Sequence, residues 1–191
     1  MSKNKEILLH LEQLRDFLRS EGYTACIIPQ NDPHMSEYVA DYYKIREFFT
    51  GFNGSAGTLV VGIDFAILWT DGRYFLQAES QLEGSSIELY RSGVENVPTM
   101  VEYLEKKVGM NGVVVANANV ISANDWGEMS EKFNLSHDDE WEKIWGNRPI
   151  LKKSHIWKLD WAEKEYPSLE KIDKIRNLMS AESVDYFLVS T

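Results

Sequence analysis

Residues 51–77 read GFNGSAGTLVVGIDFAILWTDGRYFLQ and hold five glycines, a tryptophan and an arginine. Two apolar runs, TLVVGI (58–63) and FAILW (65–69), are separated by little more than Asp64, which is the spacing of a β-hairpin. Asp71-Gly72 makes the next turn, and RYFLQAESQL (73–82) carries Tyr74, Phe75, Ala78 and Leu82 at helical spacing. GFNGSAG lacks the Lys-Ser/Thr ending of a P-loop and precedes a strand, whereas a nucleotide fingerprint opens a helix after one. Its glycines are expected to serve tight turns and close backbone approach.

Working outward, Ile7, Leu8, Leu11, Leu14 and Leu18 give a helix an apolar stripe that Gly22 ends. Ala25 to Ile28 reads as a short strand, and Pro29 to Pro33, with Asn31 and Asp32, as a turn. SEYVADYYKIREFF (36–49) is aromatic-rich and partly helical. Downstream come IELYR as a strand, TMVEYLEKKV as a helix, GVVVA as a strand and SANDWGEMSEKF as a helix. Strands that alternate with helices after an initial hairpin predict an α/β sandwich around a mixed sheet.

With 191 residues, 43% of them hydrophobic, the chain can bury a substantial core. A formal net charge of -10 with no basic run excludes the usual electrostatics of nucleic-acid binding, so no nucleic-acid partner is expected. Cys26 is the only cysteine, which rules out an internal disulfide and any CxxC metal or redox motif. MSKNKEILLHLEQLRDFLRS is interrupted by charge every few residues, so neither a signal peptide nor a membrane span is expected, and the cytoplasm is the default location.

The tail repeats the head. Residues 172–191, IDKIRNLMSAESVDYFLVST, align without a gap to residues 11–30, LEQLRDFLRSEGYTACIIPQ. Ile172 faces Leu11, Ile175 faces Leu14, Arg176 faces Arg15, Glu182 faces Glu21, and Phe187-Leu188-Val189 face Cys26-Ile27-Ile28. Only two positions are identical, and any amphipathic helix leading into a strand could imitate the pattern. The alternative is a second copy of the domain that begins near Tyr166, with the chain a fragment of something longer.

Few residues suggest chemistry. Ser36 and Ser55 sit in no GxSxG elbow, and His10, His34, His137 and His155 are scattered. Asp32 and His34 lie in one turn, which an Asx turn explains more simply than a metal does. HDDEWE (137–142) reads as a solvated acidic loop. Arg73, just past the Asp71-Gly72 turn, can project from the sheet and make a two-pronged bond to a carboxylate or a peptide carbonyl. An ordinary pair with Asp71 or Asp64 accounts for it equally well.

NDPHMSEY (31–38), GFNGSAGTLVV (51–61), LWTDGRYFLQA (68–78) and IWGNRP (144–149), in that order, resemble the N-terminal domain of the cytosolic type of Xaa-Pro aminopeptidase, or aminopeptidase P. The likeness implies a creatinase/prolidase N-terminal domain, with a ribonuclease H-like mixed sheet flanked by helices, over residues 1–160. Residues 161–191 would then be a linker and the first helix and strand of a second, truncated creatinase-type domain. It implies a homodimer and a pita-bread domain, beyond these residues, whose two manganese ions remove an N-terminal residue that precedes proline. No cofactor, metal ligand or catalytic group is expected in this chain. Arg73 matches the family's substrate-binding arginine, so a proline-containing peptide is the implied partner. Asn117 stands where relatives often carry Asp, and the acidic loop around Asp138 is this chain's own. Two other readings remain: a non-enzymatic peptide- or histone-binding module of a chaperone subunit, and a creatine-type amidinohydrolase, which should lack DGRYF.

Overall fold

The structure, a computed structural model, describes residues 3–157, 164 and 167–189. Helix α1 (Lys3–Glu21) leads into β1 (Ala25–Pro29), then α2 (Ile45–Thr50), the hairpin of β2 (Thr58–Gly62) and β3 (Ala66–Thr70), and α3 (Phe75–Leu82). There follow β4 (Glu88–Arg91), α4 (Met100–Lys107), β5 (Val113–Ala116), α5 (Ala123–Ser130) and β6 (Asn134–His137). The strands form one sheet in the order β4-β3-β2-β1-β5-β6. Strand β2 is antiparallel to both neighbours and every other pairing is parallel, so β2 alone runs against the rest.

Alternation along the strands divides the core into two layers. On one face Cys26, Ile28, Leu59, Val61 and Leu68 pack against Leu11, Leu14 and Leu18 of α1 and Phe49 of α2. On the other, Ile27, Val60, Ile67 and Val114 pack against Leu104 of α4 and Met129 of α5. A sheet covered on both faces explains why its central strands read as unbroken apolar runs. Burial pushes the Cys26 thiol up to about 12, so it behaves as a small core residue. A capping box between Thr99 and Glu102 starts α4, and Ser122 caps α5 by accepting from the Asp125 N–H.

Two stretches depart from the sequence reading. Asn134–His137 was not expected as a strand, yet it pairs in parallel with β5 at the sheet edge, where one half-buried apolar residue, Leu135, among three polar ones leaves no alternating signature. The expectation of a solvated acidic loop over 137–142 is also corrected. Trp141 is buried and meets Phe49 edge-on at 6.2 Å, while Trp145 stacks on Phe48 at 4.6 Å. Arg148 closes this latch: its guanidinium lies 3.6 Å from the Tyr42 ring centroid, donates from Nε to the Tyr42 carbonyl at 2.9 Å and pairs with Glu142 at 2.7 Å. Aromatic burial and a buried cation outweigh the local acidity.

One compact unit ends at Leu151 and a second begins at Lys152. The second contains α6 (Ser168–Ala181), where the repeat predicts a helix. Phe187–Val189, where the repeat predicts a strand, pair with no strand among the described residues. The expected start of that copy, near Tyr166, lies outside the described residues.

Candidate functional site

Five of the six strands point their C-terminal ends to one edge of the sheet, the edge where ligands collect in open α/β folds. The GFNGSAG loop lies at that edge. Gly51 ends α2 in a left-handed conformation (φ 67) with its N–H on the Glu47 carbonyl. At Gly54 an added Cβ would sit 2.4 Å from the Phe52 ring and 2.7 Å from the Tyr74 ring, so only glycine lets these rings close over the backbone. The glycines therefore serve turns and close approach, as the sequence suggested.

Arg46, which no local pattern singles out inside an aromatic-rich helix, holds the loop in place. It is fully buried, faces the Phe52 ring at 4.7 Å, and donates to the Gly54 carbonyl and, at 3.0 Å, to the Gly57 carbonyl. Burial pulls its guanidinium down to about 10. A charged fork on two carbonyls is a structural use of arginine, which no periodicity reveals.

Arg73 lies one turn beyond β3. Its Nε and Nη2 donate to the two Asp71 carboxylate oxygens at 3.0 and 2.8 Å, and its backbone N–H also reaches Asp71 at 3.0 Å. Hydrogen bonds from Arg73 hold the Asp71 carboxyl below its ordinary value. Asp64, the other candidate partner, pairs instead with Lys107 at 3.0 Å. The Arg73 side chain remains 65% exposed, with its guanidinium 5.3 Å from the Tyr74 ring centroid and the Glu37 charge nearby. Asp71 thus orients the fork while leaving Nη1 without a partner among the described residues.

Beside Arg73 is a cleft of about 390 Å³, bounded by Gln30 after β1, Glu37, Glu47 of α2, Ser55 and Tyr74. Ser55 Oγ and Tyr74 Oη are 2.7 Å apart. Neither Ser55 nor Ser36 has an imidazole partner among the described residues: His10 stacks on Phe48 at 4.0 Å, and His137 Nδ1 accepts from the Ala118 N–H. Asp32 is an Asx-turn residue, accepting from the His34 and Ser36 N–H groups at 2.9 and 3.0 Å. Burial opposes its charge, but these bonds hold its carboxyl below the ordinary value. Among the described residues no three His, Cys, Asp or Glu gather closely enough to hold a metal ion, so these residues do not fit a dinuclear manganese centre. No helix of the described residues is long and apolar enough to cross a membrane.

The profile of the creatinase/prolidase N-terminal domain matches residues 10–127, more than half of the chain. The chain belongs to this family. Xaa-Pro aminopeptidase 1 of Dictyostelium discoideum is 32% identical over 200 residues, covering 94% of this chain and 31% of the relative. Aminopeptidase P2 of Arabidopsis thaliana is 47% identical over 110 residues, covering 58% of this chain and 15% of the relative. Among solved structures, an X-prolyl aminopeptidase from Caenorhabditis elegans, described as a cytosolic enzyme with a di-nuclear active site, superposes with a TM-score of 0.77 at 26% identity. It covers 97% of this creatinase-type chain and 32% of its own length. The chain thus spans about three tenths of the Dictyostelium and nematode proteins.

Proposed function

We propose that this creatinase-type domain is the non-catalytic front portion of an Xaa-Pro aminopeptidase, a peptidase that releases the residue before proline. The observation that carries this reading is the exposed Arg73 fork, oriented by Asp71 at the C-terminal edge of the sheet, in a chain whose relatives bear that name. Arg73 binds the peptide substrate, its free N–H groups reaching a carbonyl or carboxylate, and so positions the chain for bond cleavage elsewhere. Cleavage belongs to a downstream domain that holds two manganese ions. Residues 161–191 begin a second domain of the same type. The protein works in the cytoplasm as a homodimer.

Full-length Arg73→Ala is expected to lose roughly ten- to a hundredfold in kcat/KM on an Xaa-Pro-Pro peptide, mostly through KM. Unchanged kcat/KM would reduce Arg73 to the Asp71 pair alone. The isolated 191-residue chain with manganese should give no turnover, and turnover would place the chemistry in these residues instead.

A further inference from the structure

Two asparagines of the chain precede a glycine, in Asn53-Gly54 and Asn111-Gly112. Glycine leaves its amide nitrogen unshielded by a side chain and its backbone free to turn, so here an asparagine side chain can react with its own main chain. Both asparagines are exposed, and they are held differently. Asn53 is clamped from α3: its Oδ1 accepts from Gln77 Nε2 at 2.7 Å and from Gln81 Nε2 at 2.9 Å, and its backbone N–H donates to Gln81 Oε1 at 3.1 Å. Gly54 after it is buried, with its carbonyl held by Arg46 and the Phe52 and Tyr74 rings closed over it. Asn111 ends a single 3-10 turn (Gly109–Asn111) that buries no residue, and its side chain has no hydrogen-bond partner among the described residues. So short a turn has few bonds to break and opens locally at little cost.

We propose that Asn111 is a site of spontaneous deamidation, and that the clamp protects Asn53 from the same reaction. The Gly112 nitrogen attacks Asn111 Cγ and closes a cyclic succinimide; the Cγ–Nδ2 bond breaks, and ammonia leaves with the proton that the Gly112 nitrogen gives up. Water then opens the ring. Addition at Cγ yields aspartate, and addition at the main-chain carbonyl carbon yields isoaspartate, whose chain continues through Cγ. Either product carries one more negative charge than asparagine. The fold cannot escape by replacing the glycine, because a Cβ on Gly112 would lie 2.5 Å from Val108 Cγ1 and 2.6 Å from Thr24 Oγ1, which itself accepts from the Val113 N–H at 3.2 Å. Isoaspartate inserts its extra main-chain carbon where the start of β5 is tied down, between the Asn134 side chain on the Met110 carbonyl at 2.7 Å and the Thr24 N–H on the Val113 carbonyl at 2.8 Å.

The test is to age the folded protein at mildly alkaline pH and follow, by peptide mass spectrometry, the mass gain of an amide-to-acid change at each site. Asn111 is expected to react at least roughly tenfold faster than Asn53, whose three clamping hydrogen bonds must open first. In guanidinium, where the clamp is gone, the two should react at similar rates. Asn111→Gln, which would have to close a larger ring, should abolish the gain at 111, and the Gln77→Ala/Gln81→Ala double variant should speed the gain at Asn53. The isoaspartate form, separated by ion exchange, should melt below the parent. Asn111 reacting no faster than Asn53 in the folded protein, or a gain in that peptide that survives Asn111→Gln, overturns the proposal. Should the double variant fail to fold, the guanidinium comparison decides the clamp: an Asn53 as slow unfolded as folded overturns its protection.

Discussion

Residues 11–30 and 172–191 share a helix-to-apolar-run pattern without a gap, yet Leu11, Leu14 and Leu18 are fully buried whereas Ile172, Ile175 and Leu178 are 41%, 39% and 67% exposed. Cys26, Ile27 and Ile28 stand in the middle of a six-stranded sheet, between β2 and β5, while Phe187, Leu188 and Val189 belong to no strand. An amphipathic pattern is therefore enough for a helix, which makes its own hydrogen bonds, and insufficient for a strand, which borrows them from neighbours. Helix α1 has a further support. Its helix end is held by the latch, through Lys143 to Glu21 at 3.9 Å and over the Phe17 ring, and by Tyr23 donating to Asp138 at 3.4 Å.

The comparison can be broken most directly at paired positions. Leu14→Ala should cost about 3–5 kcal/mol in urea unfolding, since the site is enclosed and leaves a cavity. A loss below 1 kcal/mol would mean that α1 is no better packed than α6.

A smaller effect probes the latch. Burial pushes the Asp139 carboxyl up, opposed by the Arg148 guanidinium at 3.6 Å. The folded protein therefore keeps this proton to higher pH than the unfolded chain does. That stabilising contribution is complete below the unfolded value of about 3.9 and is lost as pH rises through the higher folded value. Asp139→Asn should match the parent near pH 3 and exceed it by up to about 1 kcal/mol at pH 7. A less stable variant at pH 7 would show that the Arg148 pair outweighs burial.

The smallest effect belongs to α6. Leu178→Ala, at an exposed position of α6, should change the unfolding free energy by less than about 0.5 kcal/mol. A large loss would reveal packing that the exposure of Leu178 denies.

Much of the first unit was legible because its signals are local. The α1 stripe, the hairpin across Asp64, the Asp71-Gly72 turn and the following helix each lie within about ten residues. Arg73 was legible as a candidate for the same reason, and its pair with Asp71 fell within the alternatives that its spacing allowed. Strand β6 was missed because NLSH, at an edge and with Leu135 as its single apolar residue, carries no alternation. Arg46 and Gln30 were missed because burial of a polar side chain is decided by what covers it. Trp141 was misread for the converse reason, an apolar ring hidden among acids.

Local pattern alone set the order of helices and strands as far as α5 and the turns between them, since hydrophobic period and glycine placement act over a few residues. Only the tertiary structure decided that β1 sits between β2 and β5, that the latch returns to the end of α1, and that Gln30, Glu37, Glu47 and Tyr74 surround one cleft. Those arrangements join residues far apart along the chain. Their free energy comes from burial and hydrogen bonds that exist only once the layers have closed.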